Sequence, residues 1–371
     1  MSVEKPGRST HTDLACLETD GGMMGVEMDV SQNTPKVPVK EVLSTSAEDE
    51  LPAPVAGGES RHQPAALSNG CFAQQRIQAQ LRRLGQLQAD VLADRDPEPL
   101  HQLRVSLRRL RTALGQFGPA LVLPDGVTDR RIASVARQSS LCRDLDVLRL
   151  RLTNDLLPRL PEAEQESVAA ILKRLQRERA RAFEAMAEAL RSSRYLKLLA
   201  RLHKWQKRPR FTPLGELPLQ DWLSEWQEPF TAGLFLHPGW FANDPMADAL
   251  HELRKRIKHA RYSLETLEPW CSPELLQWIQ ELKQAQDHLG ELHDLQVLGV
   301  TIAQEESLQK HSSLAGLRAE VDADQHSRWL RWRVQAERLT DSRQRYAIHH
   351  HLVTFRCQEP AEEALRRPAS A

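Results

Sequence analysis

The stretch HQLRVSLRRLRTAL at residues 101–114 decides the fold, because a second copy, HELRKRIKHARYSL, occupies residues 251–264. Both stretches place apolar residues three and four positions apart, a spacing that predicts an amphipathic α-helix. Successive helical residues turn by about 100°, so the basic residues of each stretch share an arc beside the apolar stripe. The sequence therefore predicts two helices, each with one packing face and one positively charged face.

Each charged face begins with a histidine and continues with arginine and lysine. Like charges three or four residues apart destabilise a helix by about 0.2–0.5 kcal/mol per pair, a cost that a bound anion would remove. A solvated face or intramolecular salt bridges would also explain one such helix, but two copies in register favour anion binding. The predicted anion-binding residues are His101, Arg104, Arg108, Arg109, Arg111, His251, Arg254, Lys255, Lys258 and Arg261.

A second motif supports the duplication. The pattern Asp-Leu-x-Val-Leu starts at Asp144 and again at Asp294, at the same offset of 150 residues that relates His101 to His251. Two homologous helical halves are expected to pack about a pseudo-twofold axis, which would turn the basic faces toward a central cavity. Because no partner acid, nucleophile or metal ligand repeats with Asp144 and Asp294, we interpret them as carboxylates that orient the arginines of the repeated helices.

The rest of the chain predicts an all-α protein, since valine and isoleucine never alternate cleanly with polar residues. One helix is predicted from Asp96-Pro97 to Gly118, another over 128–156, and others begin at Asp244-Pro245 and at Ser272-Pro273. The predicted organisation is a disordered acidic tail (1–66), a first helical half (67–207), a connection rich in Pro and Trp with one short helix near 219–227 (208–244), a second helical half (245–355) and a frayed C-terminus (356–371).

Composition narrows the possible functions. The chain has 50 basic and 50 acidic residues, but residues 1–66 hold five basic and eleven acidic ones, which leaves 45 and 39 for the helical part. Such a small excess means that anion binding must come from local clustering. Five scattered cysteines favour a reducing cytoplasm over a disulfide framework or a zinc ribbon. No signal peptide and no membrane span are predicted.

The spacing of the positive charges predicts the kind of anion. Basic side chains on successive turns lie about 5.4 Å apart, which suits an extended polyanion better than one phosphate ester. Arginine binds two phosphate oxygens at once, and lysine supplies a compact charge. A phosphate neighbour would favour protonated His101 and His251, although a helix-start histidine bonded to the backbone is an alternative. Further basic residues either widen this surface or belong to solvated faces: Arg137, Arg143, Arg177 and Arg181.

Other chemistries find little support in the sequence. No metal ligands recur at suitable spacing on the basic faces, and His349–His351 are interpreted as surface histidines. Neither a glycine-rich phosphate loop nor a hydrolase or dinucleotide motif occurs, so we predict no cofactor and no catalysis. Aromatic residues do not interleave with the basic ones, which makes nucleic acid an unfavoured partner.

These motifs resemble the CHAD family, the conserved histidine α-helical domain, over about residues 70–355. The residues that carry the resemblance are the two histidine-led helices, Arg143-Asp144-Leu145-Asp146-Val147 and His293-Asp294-Leu295 with Val297. The resemblance implies a helical fold of two pseudo-symmetric halves around a basic cavity that binds inorganic polyphosphate, with some members found on polyphosphate granules. It also implies a CYTH-type protein as a possible partner, although the Glu-x-Glu-x-Lys motif of that domain does not occur in this chain.

Our hypothesis from the sequence is a non-catalytic, cytoplasmic module that binds inorganic polyphosphate and associates with its granules. Two alternatives stay open. One is a metal-dependent enzyme that acts on phosphoanhydrides, and the other is an interaction module for polyanions, nucleic acid or protein.

Overall fold

The computed structural model describes residues 67–308 and 314–354, and the side chains of 305–308 are not described. The predictions for the tail (1–66) and for the C-terminal segment (356–371) fall outside these residues. Within them the chain is helical, as predicted, and extended pairing is limited to two isolated bridges, Ser68 with Pro218 and Leu121 with Phe211. The helices are α1 (Asn69–Ala93), α2 (Glu98–Gln116), α3 (Asp129–Gln138), α4 (Ser140–Arg151), α5 (Glu162–Arg191), α6 (Ser193–Lys207), α7 (Pro213–Glu216), α8 (Leu223–Thr231), α9 (Asp248–Thr266), α10 (Pro273–Leu308), α11 (Ala315–Thr340) and α12 (Ser342–Val353).

The two repeated stretches form α2 and α9, whose bounds differ by 150 residues at both ends. Each helix is followed by a short 3-10 turn, Gly118–Ala120 after α2 and Glu268–Trp270 after α9. These turns repeat the same offset, so local structure follows the sequence repeat. Helix α2 begins where the sequence predicts, because Oδ1 of Asp96 accepts a hydrogen bond from the backbone N–H of Glu98 at 2.7 Å.

The start of α9 differs from the prediction. Asp244 does accept a hydrogen bond from the backbone N–H of Met246 at 2.8 Å, as an N-terminal cap would. The chain then makes a turn, and the helix begins at Asp248 instead of beside Pro245. The next predicted start is correct, since the hydroxyl of Ser272 accepts from the N–H of Leu275 at the beginning of α10.

The single helix predicted over 128–156 is wrong. The structure has two helices, α3 and α4, separated at Ser139, and a π-helical turn at Leu152–Leu156. The hydroxyls of Ser139 and Ser140 donate to the carbonyl of Ala136 at 2.8 and 3.3 Å, and this bonding back to the preceding turn disrupts the helical ladder. The break places both hydroxyls beside α2.

The connection at 208–244 is more ordered and more helical than predicted. Helix α7 precedes a 3-10 turn, and α8 then covers Leu223–Thr231 with Pro229 inside it. The tryptophans of this segment anchor it: the indole N–H of Trp226 donates to Asn69 at 2.6 Å, and Trp240 stacks on Trp332 with ring centroids 5.6 Å apart. The segment therefore belongs to the packed core.

Helices α2 and α9 pack directly against each other, and this contact positions the functional site. Helix α2 also packs on α1 and α3, and α9 packs on α8 and α10. At the contact, the buried amide of Gln116 donates to Ser263 Oγ at 2.7 Å and to the carbonyl of Trp226 at 2.9 Å. The apolar stripe of each helix is buried, with Leu103 and Leu110 on α2 and Leu253 and Ile257 on α9 each at most 1% exposed.

A buried ion cluster holds α1, α4 and α5 together. Arg179 of α5 is 9% exposed, and its guanidinium contacts Asp146 at 2.9 Å and also pairs with Asp94. The hydrogen bonds that the guanidinium donates to Asp94 and to Asp146 raise the pKa of Arg179, against the effect of burial. Asp94 adopts a left-handed conformation with φ of 52° just after α1, which turns the chain toward α2. The cluster joins three elements around the base of the first repeated helix.

Candidate functional site

A cleft lies between α2 and α9 and is lined by basic residues from both. Seven lysines and arginines line it together with His251, Ala136 and Ser140, and no Asp or Glu is among these ten residues. The seven are Arg104, Arg108, Arg111, Arg137, Arg254, Lys255 and Lys258. Six of them are predicted site residues, and the structure therefore brings the two basic faces together at one place.

The first half presents Arg104 through a set of hydrogen bonds. Its guanidinium donates to the hydroxyls of Ser140 at 2.8 Å and Ser139 at 3.2 Å, and to the carbonyl of Ala136 at 3.0 Å. The break between α3 and α4 supplies these three acceptors. Nothing in the basic arc of α2 indicates them, although a pair of adjacent serines within a helical pattern is a sign of a bend.

Arg108 extends toward the other repeated helix. Its guanidinium donates to the hydroxyl of Tyr262 at 3.3 Å, and the guanidinium carbon lies 5.6 Å from the centroid of that ring. Burial alone would raise the pKa of Tyr262, but the positive charges of Arg108 and Arg261 lower it below its ordinary value. Tyr262 lies within the second repeated stretch, residues 251–264, but the sequence alone does not indicate a role for it in the site.

Two cleft residues form ion pairs with carboxylates at the edge. Arg111 contacts Asp129 through two hydrogen bonds of 2.8 and 3.0 Å, and Lys255 contacts Glu252 at 2.9 Å. The Asp129 and Glu252 side chains are 57% and 58% exposed. Exposed pairs of this kind contribute little stability, so both cations stay accessible to a competing anion.

Arg254 packs against a glycine of α10. A Cβ built on Gly290 would lie 3.2 Å from Nη2 and 3.4 Å from Nε of Arg254, so the absence of a side chain gives the guanidinium its room. The Nε of Arg254 is buried and makes no hydrogen bond. Burial raises the pKa of Asp294, and the positive charges of Arg254, His293 and Arg151 oppose that rise. This proximity fits the predicted role of Asp294 as a support for the basic helix.

The two predicted histidines lie at different places. His251 lines the cleft, and its ring centroid lies 5.0 Å from that of His293 on α10. Burial lowers the pKa of His251, as do the charges of His293, Lys255 and Arg254. His101 is half-buried, is not among the cleft-lining residues, and has its pKa lowered by burial and by Arg143. In the free protein both histidines therefore favour the neutral form.

Arg109 and Arg261, which the sequence predicts as anion-binding residues, do not line the cleft. Arg261 is 6% exposed, pairs with Glu265 and donates to Gln286 at 3.2 Å. Arg109 lies 3.6 Å from the same Glu265. Their position on the helix fits the basic arc, but Glu265, one turn after Arg261 on α9, pairs with both guanidinium groups. The proposed function below does not use either residue, and their anion-binding role stays a prediction.

The remaining predicted residues lie around the cleft. Asp144 is exposed on α4, and its orienting role stays a prediction. Arg137, which the sequence left undecided between a basic surface and a solvated face, lines the cleft.

Among the described residues, no group of three or more His, Cys, Asp or Glu is placed to bind a metal ion.

The space between the cationic side chains is narrow. The cleft holds about 40 Å³, which is room for a few water molecules. The side chains that fill it are long and half-exposed, so they can rotate outward. A larger anion would therefore enter by displacing arginine and lysine tips that then close around it.

These features define an all-α protein in which two similar basic helices line one cleft. A family model for the CHAD domain matches residues 75–303, and the chain belongs to this family. The CHAD family is associated with polyphosphate. No curated protein matches the chain.

Solved structures share the fold. The crystal structure of the CHAD domain from the plant Ricinus communis is 24% identical, with a TM-score of 0.52 over 80% of this chain and 95% of that one. PptA from Streptomyces chartreusis is 18% identical, with a TM-score of 0.53 over 72% of this chain and 99% of that one. No helix among residues 67–308 and 314–354 is long and apolar enough to cross a membrane.

Proposed function

We propose that the protein binds inorganic polyphosphate in the cleft between α2 and α9 and does not turn it over. The observation that carries the proposal is the lining itself, in which seven lysines and arginines occur without a carboxylate. Crowded like charges destabilise the free protein, and a polyanion relieves that repulsion. Arginine dominates the lining, which suits phosphate because its planar fork contacts two oxygens.

An extended polymer fits this site better than a small phosphate. The cations come from three helices, with Arg108 on α2, Arg137 on α3 and Lys258 on α9, and Ser140 of α4 adds a hydroxyl to the lining. A chain with a charge on every unit would contact several of them at once. Its affinity should then fall steeply with salt, because each neutralised phosphate releases counterions.

The test is a titration of long-chain polyphosphate by fluorescence anisotropy over a series of salt concentrations. The Arg104/Arg108/Arg254/Lys258 to Ala variant should lose at least about a hundredfold in affinity, and its salt dependence should become shallower. A matched control removes four exposed cations elsewhere: Lys173, Lys197, Lys204 and Lys207. Both variants change net charge by the same amount, so equal losses would show that overall charge, not the cleft, controls binding.

Two further assays separate the alternatives. A phosphoanhydride-processing enzyme would release orthophosphate from polyphosphate or from a nucleoside triphosphate with Mg²⁺ or Mn²⁺, and we expect no release. A general polyanion module would also bind heparin and duplex DNA. We expect both to compete poorly with polyphosphate when they are added at the same concentration of negative charge.

In the cell, we propose that the protein lies on cytoplasmic polyphosphate granules, where a CYTH-type protein is a candidate partner.

A further inference from the structure

A second cavity adjoins the cleft, and the two share His251. This cavity, here called the side pocket, lies between the start of α9 and the middle of α10 and holds about 340 Å³. That volume is within the range of small-molecule sites, which span about 300–1,000 Å³. The cleft alone is far smaller, so the pair of cavities offers room for a ligand with a narrow charged part and a broader second part.

The linings of the two cavities differ in charge, and they meet where Glu252 of the side pocket pairs with Lys255 of the cleft at 2.9 Å. Lysine and arginine line the cleft without any carboxylate, whereas the residues that line the side pocket include Asp248 and Glu252 and no lysine or arginine. A phosphate group would therefore be attracted to the cleft and repelled from the side pocket. A group that is uncharged and carries hydrogen-bond donors would have the opposite preference.

The walls of the side pocket suit a flat ring. Leu250, Leu289 and Leu292 are at most 5% exposed and form an apolar surface, and Met246 is 54% exposed beside them. The imidazole rings of His251 and His293 lie at the boundary with the cleft, inclined to each other by 43°. Apolar walls with a few polar groups are typical of sites for aromatic ligands.

Polar groups of the side pocket are placed to form hydrogen bonds with the edge of such a ring. The amide nitrogen of Gln296 already donates to the carbonyl of Pro245 at 2.6 Å, which fixes the side chain and leaves its oxygen as an acceptor. Asp248 adds a carboxylate acceptor, whereas Glu252 is paired with Lys255. An amino group on the ring would donate hydrogen bonds to these acceptors, whereas a ring that carries only acceptor atoms would form no hydrogen bonds with them.

We propose that the side pocket binds the base of a nucleoside polyphosphate whose phosphates lie in the cleft. This inference rests on the proposed function, since it uses the same cationic cleft for the phosphates. It adds a class of ligand, an amino-bearing nucleobase joined to several phosphates. Binding needs no chemical step, and the phosphoanhydride bonds stay intact.

The test compares ATP with inorganic tripolyphosphate by calorimetry at fixed ionic strength with EDTA. The two ligands carry similar charge, so a difference in affinity measures the base and sugar. We expect the parent protein to bind ATP at least about tenfold more tightly. The substitution Ala247→Phe, at a half-buried position that lines the side pocket, should reduce ATP affinity to that of tripolyphosphate and leave tripolyphosphate unaffected.

Controls keep the outcomes separate. Val334→Phe adds the same side chain at a position on α11 that is 69% exposed, and it should change neither affinity. Equal binding of the two ligands by the parent, or an equal loss of both in Ala247→Phe, would overturn the inference. Long-chain polyphosphate is titrated in parallel: if it binds while ATP shows no preference, only the side pocket assignment fails, and if it does not bind, the proposed function fails.

Discussion

The hydroxyl of Tyr262 on α9 accepts a hydrogen bond from Arg108 on α2 at 3.3 Å, which joins the two basic helices at the cleft. Tyr262 is 4% exposed, and Arg261 lies on its ring with the guanidinium carbon 4.1 Å from the centroid. Arg261 is itself held by Glu265. The position of Arg108 thus depends on a chain of contacts through Tyr262, Arg261 and Glu265, which lie outside the cleft lining.

This contact predicts a positioning role for Tyr262. Tyr262→Phe removes only the hydroxyl and should weaken polyphosphate binding roughly threefold to tenfold, since a hydrogen bond of this kind contributes about 0.5–1.5 kcal/mol. Tyr195→Phe is a matched control, because Tyr195 is 1% exposed and its hydroxyl has no hydrogen-bond partner. Anisotropy titrations and thermal unfolding of both variants separate binding from stability. Unchanged affinity in Tyr262→Phe would contradict the role.

The histidines predict a dependence of binding on pH. Burial and cationic neighbours lower the pKa of His251 in the free protein, and a bound polyanion should raise it again. Binding then takes up protons, so affinity should rise roughly threefold to tenfold as pH falls through about 6.5. The substitution His251→Asn should flatten this profile, and His203→Asn, at an exposed position on α6, should not. A profile that is the same in His251→Asn and the parent would exclude His251 as the titrating group.

The stability of the unliganded protein should change with pH in the opposite direction to its affinity for polyphosphate. A histidine whose folded pKa is lowered binds fewer protons than in the unfolded chain, so the free energy of unfolding should decrease as pH falls below about 6.5. Urea unfolding at a series of pH values measures this decrease. Saturating polyphosphate should reduce it, because the ligand favours the protonated form in the folded state.

The contact between Gly290 and Arg254 predicts a substitution that lowers the affinity for polyphosphate without lowering stability. Gly290→Ala should favour helix α10 by up to about 1 kcal/mol, yet its Cβ would lie 3.2 Å from Nη2 of Arg254, so the guanidinium would have to shift slightly from its place. We expect polyphosphate affinity to fall several-fold while thermal stability does not. Gly299→Ala on the same helix is the control, because a Cβ there meets nothing within 4 Å. If both variants bind alike, the placement of Arg254 is unimportant for the ligand.

The buried ion cluster predicts a large effect on stability alone. Arg179→Met leaves the carboxylate of Asp146, which is 5% exposed, without its partner and should cost about 3–5 kcal/mol. Arg177→Ala, at an exposed position on the same helix, should change stability by less than about 0.5 kcal/mol. Chemical unfolding of the two variants gives the comparison. A loss in Arg179→Met no larger than the control would mean that the cluster does not hold the three helices.

The start of a helix is predicted correctly where the capping residue lies next to it in the sequence, as with Asp96 before α2 and Ser272 before α10. It fails at Ser139, because hydroxyls that bond back to Ala136 compete with the helix only in a particular packing. The same limit applies to the site. The basic arc includes Arg104 and Lys258, which line the cleft, and also Arg261, which does not. Helical spacing already places Glu265 one turn after Arg261, but it does not reveal that Gln286 of α10 contacts that residue.

The carboxylates at the edge of the cleft have a consequence for which anions the protein retains. Arg111 and Lys255 each hold one carboxylate, so an incoming orthophosphate merely exchanges one partner for another. A polymer exchanges several partners while losing its freedom of movement only once, and its later contacts are effectively intramolecular. Under the proposed function, even these weak pairs favour a polymer over orthophosphate. We expect the protein to bind abundant monovalent and divalent anions poorly and to respond to a molecule that carries many charges in a row.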